Sequence, residues 1–313
     1  MPLTLPWRKR VKKLVDACIF FNEIDLLTVR FEELWSQIDH FVVVEADTTF
    51  SGQRKPFFIR EYRAQLKPYE DKLVYRCMTL PPGMGESENV RFLREAAQRN
   101  AITAAISELD LLPSDIVLVS DVDEIPRSRR LRKLKRALSK HDYAIFMLHN
   151  YRGYINNTSA NALNGLIVAG TVACRVSTLV RQGAHEVRRG CNKAGGVKMR
   201  RSADYAYIDD AGWHFSSMGG PEAFWLKAAS FSHIEDPYRV IGLAESIPPL
   251  QVFLAAMDRE KCRALQKVYL AHCPAPAFSP VTFDAFKVCQ DVPAFILRHK
   301  ERFRGYFFFT DLV

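Results

Sequence analysis

None of the seven cysteines (Cys18, Cys77, Cys174, Cys191, Cys262, Cys273 and Cys289) belongs to a C-x-x-C pair. An odd number without paired spacing gives neither a disulfide framework nor a zinc site, so the thiols read as reduced or as small core residues. No stretch approaches 18 apolar residues, the length from which a transmembrane helix is read. Trp7 to Lys13 is basic and runs straight into an apolar segment, so no signal-peptide core stands at the start. The sequon Asn156-Asn157-Thr158 has little meaning without secretion. With 15 Gly and 16 Pro in 313 residues, collagen-like and low-complexity chains are excluded. These absences point to a soluble globular protein, expected in the cytoplasm.

A 313-residue chain makes one large domain or two joined ones. Its unusual number is charge: 44 Lys and Arg against 35 Asp and Glu, a net +9. Such a surplus suits an anionic partner, whether nucleic acid, a phosphorylated small molecule or an anionic membrane. Nucleic acid is the weakest of these, because zinc-finger spacing and RNA-binding aromatics are missing.

Strand and helix patterns alternate through the first 150 residues. Val15 to Phe21, Phe41 to Val44 and Ile116 to Val119 are largely apolar runs, as strands buried on both faces require. Lys72 to Met78 is a weaker strand, and Asp25 to Gln37 and Glu86 to Leu109 read as helices. The alternation predicts a mainly parallel α/β sheet, with ligands beyond the carboxyl ends of its strands. Three such ends are polar: Asn22-Glu23, Glu45-Ala46-Asp47 and Asp121-Val122-Asp123. The middle of the chain reads as a mixed α+β half, with strand pieces at Ile145 to Leu148 and Gly165 to Val176. From Ser246 the pattern turns helical, with a last short helix starting near Pro293.

Asp121 and Asp123 lie two apart at the end of an apolar strand, so both carboxylates can face one hard cation, Mg²⁺ or Mn²⁺. The same residues also suit an N-cap cluster ahead of Pro126. Arg91, Arg94 and Arg99 sit on the long helix, as donors to a ligand or as a solvated face. Arg127 to Arg136 carries seven basic residues in ten. Leu131, Leu134 and Leu138 would give that run one packed face, and its basic side would suit lipid headgroups or a lipid diphosphate.

Several blocks then occur in order: Cys18 to Glu23, Val42 to Ala46, Ser51-Gly52, Ser120 to Pro126, Ala169-Gly170-Thr171, Gly212 to Ser216, Gly219 to Glu222 and Ser230 to His233. Together they resemble glycosyltransferase family 17. The resemblance implies a GT-A-like (Rossmann-like) fold and inverting transfer from a UDP-sugar, UDP-N-acetylglucosamine, with Mn²⁺ or Mg²⁺. The implied division is a basic arm at 1–14, a catalytic domain at 15–245 and a helical extension at 246–313. Within the catalytic domain, 15–150 would take the nucleotide sugar and 151–245 the acceptor, a glycan or lipid-linked saccharide. The chain shows no counterpart of the family's eukaryotic membrane anchor and stem, which leaves the N-glycan acceptor open.

On this reading Asp121, Asp123 and His214 hold the metal, Asp123 most directly. Asn22, Glu23, Glu45, Arg99 and Asp121 face the donor, with Glu45 accepting from ribose or uracil as acidic strand-end residues do. Glu222 is the base, since Gly219-Gly220-Pro221-Glu222 resembles the Gly-Gly-Glu segment of other inverting GT-A enzymes. Glu124, Asp209, Asp210 and Glu235 are lesser candidates, and Tyr151, Tyr154 and Trp225 are available to stack on sugars. The alternatives are a glycoside hydrolase, a basic nucleic-acid- or membrane-binding protein, and a glycan-binding protein on an inactive transferase fold. With an acidic site needing a cation, the basic surplus falls elsewhere: at the arm and at Arg127 to Arg136. A peripheral position on the inner face of a membrane would suit it.

Overall fold

A computed structural model describes residues 11–80, 88–155, 167–193, 203–230, 267 and 292–306. In chain order these form β1 (Leu14–Phe20), α1 (Ile24–Leu34), β2 (His40–Ala46), α2 (Phe58–Glu61), α3 (Arg63–Leu66) and β3 (Leu73–Met78). Next come α4 (Glu88–Ser107), β4 (Ile116–Asp121), β5 (Glu124–Pro126), α5 (Ser128–Leu131), α6 (Leu134–Ala137), β6 (Tyr143–Arg152) and β7 (Ile167–Arg175). The chain continues through α7 (Val176–Gln182), α8 (Ala184–Lys193), β8 (Tyr205–Ser216), α9 (Gly220–Ser230) and α10 (Ala294–Arg298).

The eight strands make one sheet in the order β3-β2-β1-β4-β7-β6-β8-β5. From β3 to β4 all neighbours run parallel. β7 then pairs antiparallel with β4 and with β6, β6 runs parallel to β8, and β5 closes the row antiparallel to β8. The expected α/β fold is therefore borne out, with a parallel half and a mixed half. Both halves share a single sheet.

Strand periodicity explains how the two faces are covered. Val15, Ala17 and Ile19 of β1 point to one side and meet Ile102, Ala105 and Ile106 of α4. Cys18 and Phe20 point to the other and join Leu27, Phe31 and Leu34 of α1. β4 divides in the same way, with Val117 and Val119 on the α4 side and Ile116 and Leu118 on the α1 side. A third cluster joins Leu26 and Val29 of α1 to Trp213 and Phe215 of β8 and to Val292, Ile296 and Phe303. The described part of the C-terminal tail thus packs on α1, and Arg302 adds an ion pair to Asp25 at 2.7 Å.

The run Arg127 to Arg136 forms two short helices, α5 and α6, in place of one amphipathic helix. Leu131, Leu134 and Leu138 are buried as their spacing required. The arm before Val11, the loop at 156–166 and most of the 246–313 extension lie outside the described residues.

Candidate active site

The parallel half of the sheet carries its polar strand ends on one edge, and Arg30 sits directly beneath them. Strand alternation turns Asp16 toward α1, where Arg30 meets it with two 2.6 Å contacts, to Oδ1 and Oδ2. Neither residue is exposed: Arg30 is 0% and Asp16 2% accessible. The same guanidinium also donates to Ser120 Oγ at 2.6 Å, to the Glu124 carbonyl at 2.8 Å and to the Asp121 carbonyl at 3.2 Å. All its donors are used, a geometry that suits the fixed fork of arginine. Arg30 therefore sets the backbone of the turn that presents Asp121, Asp123 and Glu124. It was not among the expected site residues, yet the sequence held a signal. Asp16 and Arg30 each stand alone as a charge within an apolar run, LVDACIF and LLTVRF, and a buried charge calls for a partner.

Above the turn, each carboxylate has a cation. Arg99 donates to Asp121 Oδ1 at 2.8 Å and also pairs with Glu95 at 2.8 Å. Arg188, from α8, lies 3.7 Å from Asp121 Oδ2 and bonds Glu124 closely. Burial works to raise the Asp121 pKa, but Arg99 and Arg188 outweigh it and hold the carboxyl well below its usual range. Glu124 moves the other way: burial raises its pKa, and neighbouring Asp121 and Asp123 add to the rise against the pull of Arg188.

Asp123 is 4% exposed and takes the ammonium of Lys227 on Oδ2 at 2.6 Å. The imidazole Nε2 of His214 lies 3.8 Å from the same oxygen. Strand pairing brings the two together. Glu124 pairs with His214 in the β5–β8 ladder, and the Phe215 amide donates to the Asp123 carbonyl at 2.9 Å. Gly212 makes that ladder possible, because a Cβ there would sit 2.1 Å from the Ile125 carbonyl oxygen. His214 Nδ1 is buried without a hydrogen-bond partner among the described residues.

These contacts decide which expected ligands can meet a divalent ion. Asp123 and His214 fit it as a two-donor set, which is the share Mg²⁺-type ions take from protein when substrate phosphates and water complete the shell. Asp121 does not join them, since its two oxygens face Arg99 and Arg188. No cluster of three or more His, Cys, Asp or Glu side chains fit to hold an ion occurs among the described residues.

The other expected site residues are placed as follows. Asn22 and Glu23 are half-buried beside this edge, and the Asn22 amide donates to Glu23 Oε2 at 3.1 Å. Gln98 lies behind them and bridges the Phe20 and Val44 carbonyls at 3.2 and 2.9 Å. Arg99 is buried at 5% exposure, so it reaches a ligand through Asp121. Arg94 is also buried and donates to the Phe50 carbonyl at 3.0 Å.

Glu45 departs from its expected role. It is 0% exposed, and its carboxylate accepts from Lys55 Nζ at 2.7 Å, the Phe58 amide at 2.7 Å, the Tyr75 hydroxyl at 3.0 Å and the Ile59 amide at 3.2 Å. Its oxygens fasten α2 and β3 to β2 and leave no open face for ribose or uracil.

Glu222 is exposed in the first turn of α9. The helix is entered through a sharp bend, with φ of 58° at Ser217, 100° at Gly219 and 84° at Gly220. Lys227 lies five residues further on, about 140° around the helix, so α9 carries a base candidate and the Asp123 partner on different faces. Asp209 is exposed. Asp210 is a hub for Arg127 at 3.1 Å, Arg129 at 3.2 Å, Arg130 and His149 at 3.1 Å. Tyr151 is 6% exposed, stacked on Phe215 and part of the core. Glu235 and the Trp225 side chain lie outside the described residues.

Lys227 and Arg188 were likewise not expected from sequence. Each is one basic residue among many on a helix, and only the fold shows which of them reach an acidic strand end.

Among curated proteins, the chain is similar to β-1,4-mannosyl-glycoprotein 4-β-N-acetylglucosaminyltransferase of Rattus norvegicus, 26% identical over 255 residues that cover 74% of this chain and 46% of that protein. The Homo sapiens protein of the same name is 25% identical, with 74% and 47% covered. The chain thus spans about half the length of these relatives. Solved structures with a likeness include a mannosyltransferase from Pyrobaculum calidifontis with GDP-Man and Mn²⁺, 11% identical, TM-score 0.38, covering 94% of this chain and 80% of that one. Another is glucosyl-3-phosphoglycerate synthase from Mycobacterium tuberculosis with Mn²⁺, UDP and phosphoglyceric acid, 15% identical, TM-score 0.34, with 87% and 82% covered. Overlaps this loose carry no structural weight, and the fold rests on the strand order itself. The family model for glycosyltransferase family 17 matches residues 5–156, which include the four parallel strands, Arg30 and the turn bearing Asp121, Asp123 and Glu124. Over that half, the chain matches glycosyltransferase family 17, and the resemblance read from its motifs is borne out.

Proposed function

We propose that the protein is an inverting glycosyltransferase that moves N-acetylglucosamine from a UDP-sugar to a hydroxyl of a glycan or glycolipid. The observation that carries this reading is the convergence, within and beside the family-matched segment, of Asp123 and His214 at the carboxyl edge of a parallel sheet. Asp123 and His214 would hold the divalent ion. When bound, such an ion neutralises the charge that grows on the departing diphosphate. The remaining work falls to the chain. Arg99 and Arg188 hold Asp121 ionised, so it can accept from donor hydroxyls at the same edge. Arg30 keeps the turn rigid, so those groups need no rearrangement during transfer. Glu222 takes the acceptor hydroxyl proton as that oxygen attacks the anomeric carbon.

The test is a screen of nucleotide sugars for transfer and slow hydrolysis, with and without Mn²⁺, in wild type and Asp123→Asn. Turnover of UDP-N-acetylglucosamine by wild type, lowered on the order of 10²–10³-fold by the substitution, supports the reading. Equal rates for the two proteins would overturn it.

A lipid-linked acceptor at an anionic membrane is supported by a separate observation. Arg132, Lys133, Lys135, Arg136 and Lys140 are all exposed on and beside α6, while Leu131, Leu134 and Leu138 anchor the segment to the core. Vesicles containing anionic lipid should co-sediment the protein at low salt, and charge reversal of Arg132, Lys133, Lys135 and Arg136 should abolish this. Equal sedimentation with purely neutral vesicles would refute it.

A further inference from the structure

The second acidic residue of the strand-end pair carries an ammonium where the proposed chemistry needs a divalent ion. Lys227 Nζ lies 2.6 Å from Asp123 Oδ2. That oxygen is also the one His214 Nε2 approaches, at 3.8 Å. An ion held between Asp123 and His214 would therefore meet the Lys227 ammonium on a shared ligand atom. Like charges that close repel, and the site is largely shielded from solvent, so water screens them poorly. The two cations are alternatives.

The surrounding charges make Lys227 the exchangeable one. Arg99 is 6% exposed along its side chain and locked between Glu95 and Asp121. Arg188 is 11% exposed and divided between Glu124 and Asp121. Lys227 is 26% exposed, sits on a flexible four-carbon stem and makes a single-point contact, unlike either guanidinium. Its helix, α9, follows the left-handed bend at Ser217, Gly219 and Gly220, so its own backbone is not part of the sheet that fixes Asp123 and His214.

We propose, building on the transferase reading above, that Lys227 is the resident cation of the donor-free site. Its ammonium holds Asp123 until a divalent ion arrives with the diphosphate and displaces it from the carboxylate. The exchange keeps the buried Asp123 charge compensated at every stage, whereas a site without Lys227 would carry an unpaired buried carboxylate between turnovers. It also makes the free protein a poor metal binder. The lysine would be placed to return to Asp123 once such an ion had left.

The experiment measures Mn²⁺ alone, with no nucleotide, by loss of the free-ion electron paramagnetic resonance signal, in wild type, Lys227→Met, Lys227→Arg and the double variant Asp123→Asn with Lys227→Met. Lys227→Met should bind Mn²⁺ at least tenfold more tightly than wild type. Lys227→Arg, which keeps a cation at Asp123, should gain nothing, and Asp123→Asn combined with Lys227→Met should lose the added affinity. Lys227→Gln replaces the methionine variant if that protein does not fold. A lysine that merely pins α9 to the turn would leave Mn²⁺ affinity unchanged on removal, and equal affinity in wild type and Lys227→Met overturns the proposal, as does the absence of Mn²⁺ binding in both. The two readings fail separately. Mn²⁺-dependent donor turnover without tighter binding in Lys227→Met removes only the lysine inference. Tighter binding in a protein that turns over no nucleotide sugar removes only the transferase reading.

Discussion

Replacing Arg30 with Met strands Asp16, at 2% exposure, in a core where no other cation is bonded to it among the described residues. Removing one partner of a buried ion pair costs about 3–5 kcal/mol. The Ser120 hydroxyl and the Asp121 and Glu124 carbonyls lose their donor as well, at on the order of 1 kcal/mol each. These contributions overlap because they share one side chain, so a total near 5 kcal/mol is expected. That is a large part of the roughly 5–15 kcal/mol by which native proteins are stable. Urea unfolding followed by circular dichroism should show the loss as a lower midpoint at an unchanged slope. The double variant Asp16→Leu with Arg30→Met should recover about half or more of it, because a well-packed apolar pair can replace a buried ion pair at little cost. An Arg30→Met protein within about 1 kcal/mol of wild type would refute the assignment of Arg30 as the support of the site. So would a double variant no more stable than the single one.

Two further substitutions probe the site and the basic segment. Glu222→Gln should lower transfer by about 10²–10⁴-fold, the range for losing a general base, while leaving thermal stabilisation by UDP and Mn²⁺ intact; a full transfer rate would remove Glu222 from the mechanism. For Asp210, burial acts to raise the pKa, but hydrogen bonds from Arg130 and His149 and the charge of Arg127 hold it at about 2. A depressed carboxylate pKa contributes stability that is fully present above the unfolded value near 3.9 and is lost as pH falls through the folded value. The gap between the denaturation midpoints of wild type and Asp210→Asn should therefore be widest near pH 6 and close toward pH 2; a gap that stays constant would count against this linkage.

What could be read from sequence follows the range of the interactions concerned. β1, β2 and β4 are buried on both faces, so each shows as a largely apolar run whatever its neighbours are, with Asp16 the one charge inside that of β1. The observed α4, Glu88–Ser107, and α10, Ala294–Arg298, likewise lie close to the helices read from spacing at Glu86 to Leu109 and from Pro293. β8 was harder to see. It spans Tyr205–Ser216, but Asp209, Asp210 and Gly212 interrupt its apolar alternation, because Asp210 serves an arginine hub and Gly212 lets β5 approach.

At the site, Asp121, Asp123 and His214 were legible as residue types in a recognisable order. Their partners were not: Lys227 is 104 residues from Asp123, and Arg188 is 64 from Glu124. Glu45 shows the converse. Its place at a strand end was visible, but Lys55, Tyr75 and the α2 amides that consume its oxygens come from elements whose approach only the fold determines.

The three-residue strand β5 has a consequence for how this site can vary. Asp123 and His214 face each other because Glu124 and His214 share one rung of a ladder, so their meeting is a matter of register. Sliding β8 by a single residue would turn the imidazole to the opposite side of the sheet, whatever the loops at either end did. Connections around the edge can thus lengthen, shorten or change composition while Asp123 and His214 stay aligned. Only a change that breaks the pairing of a few backbone groups would erase it.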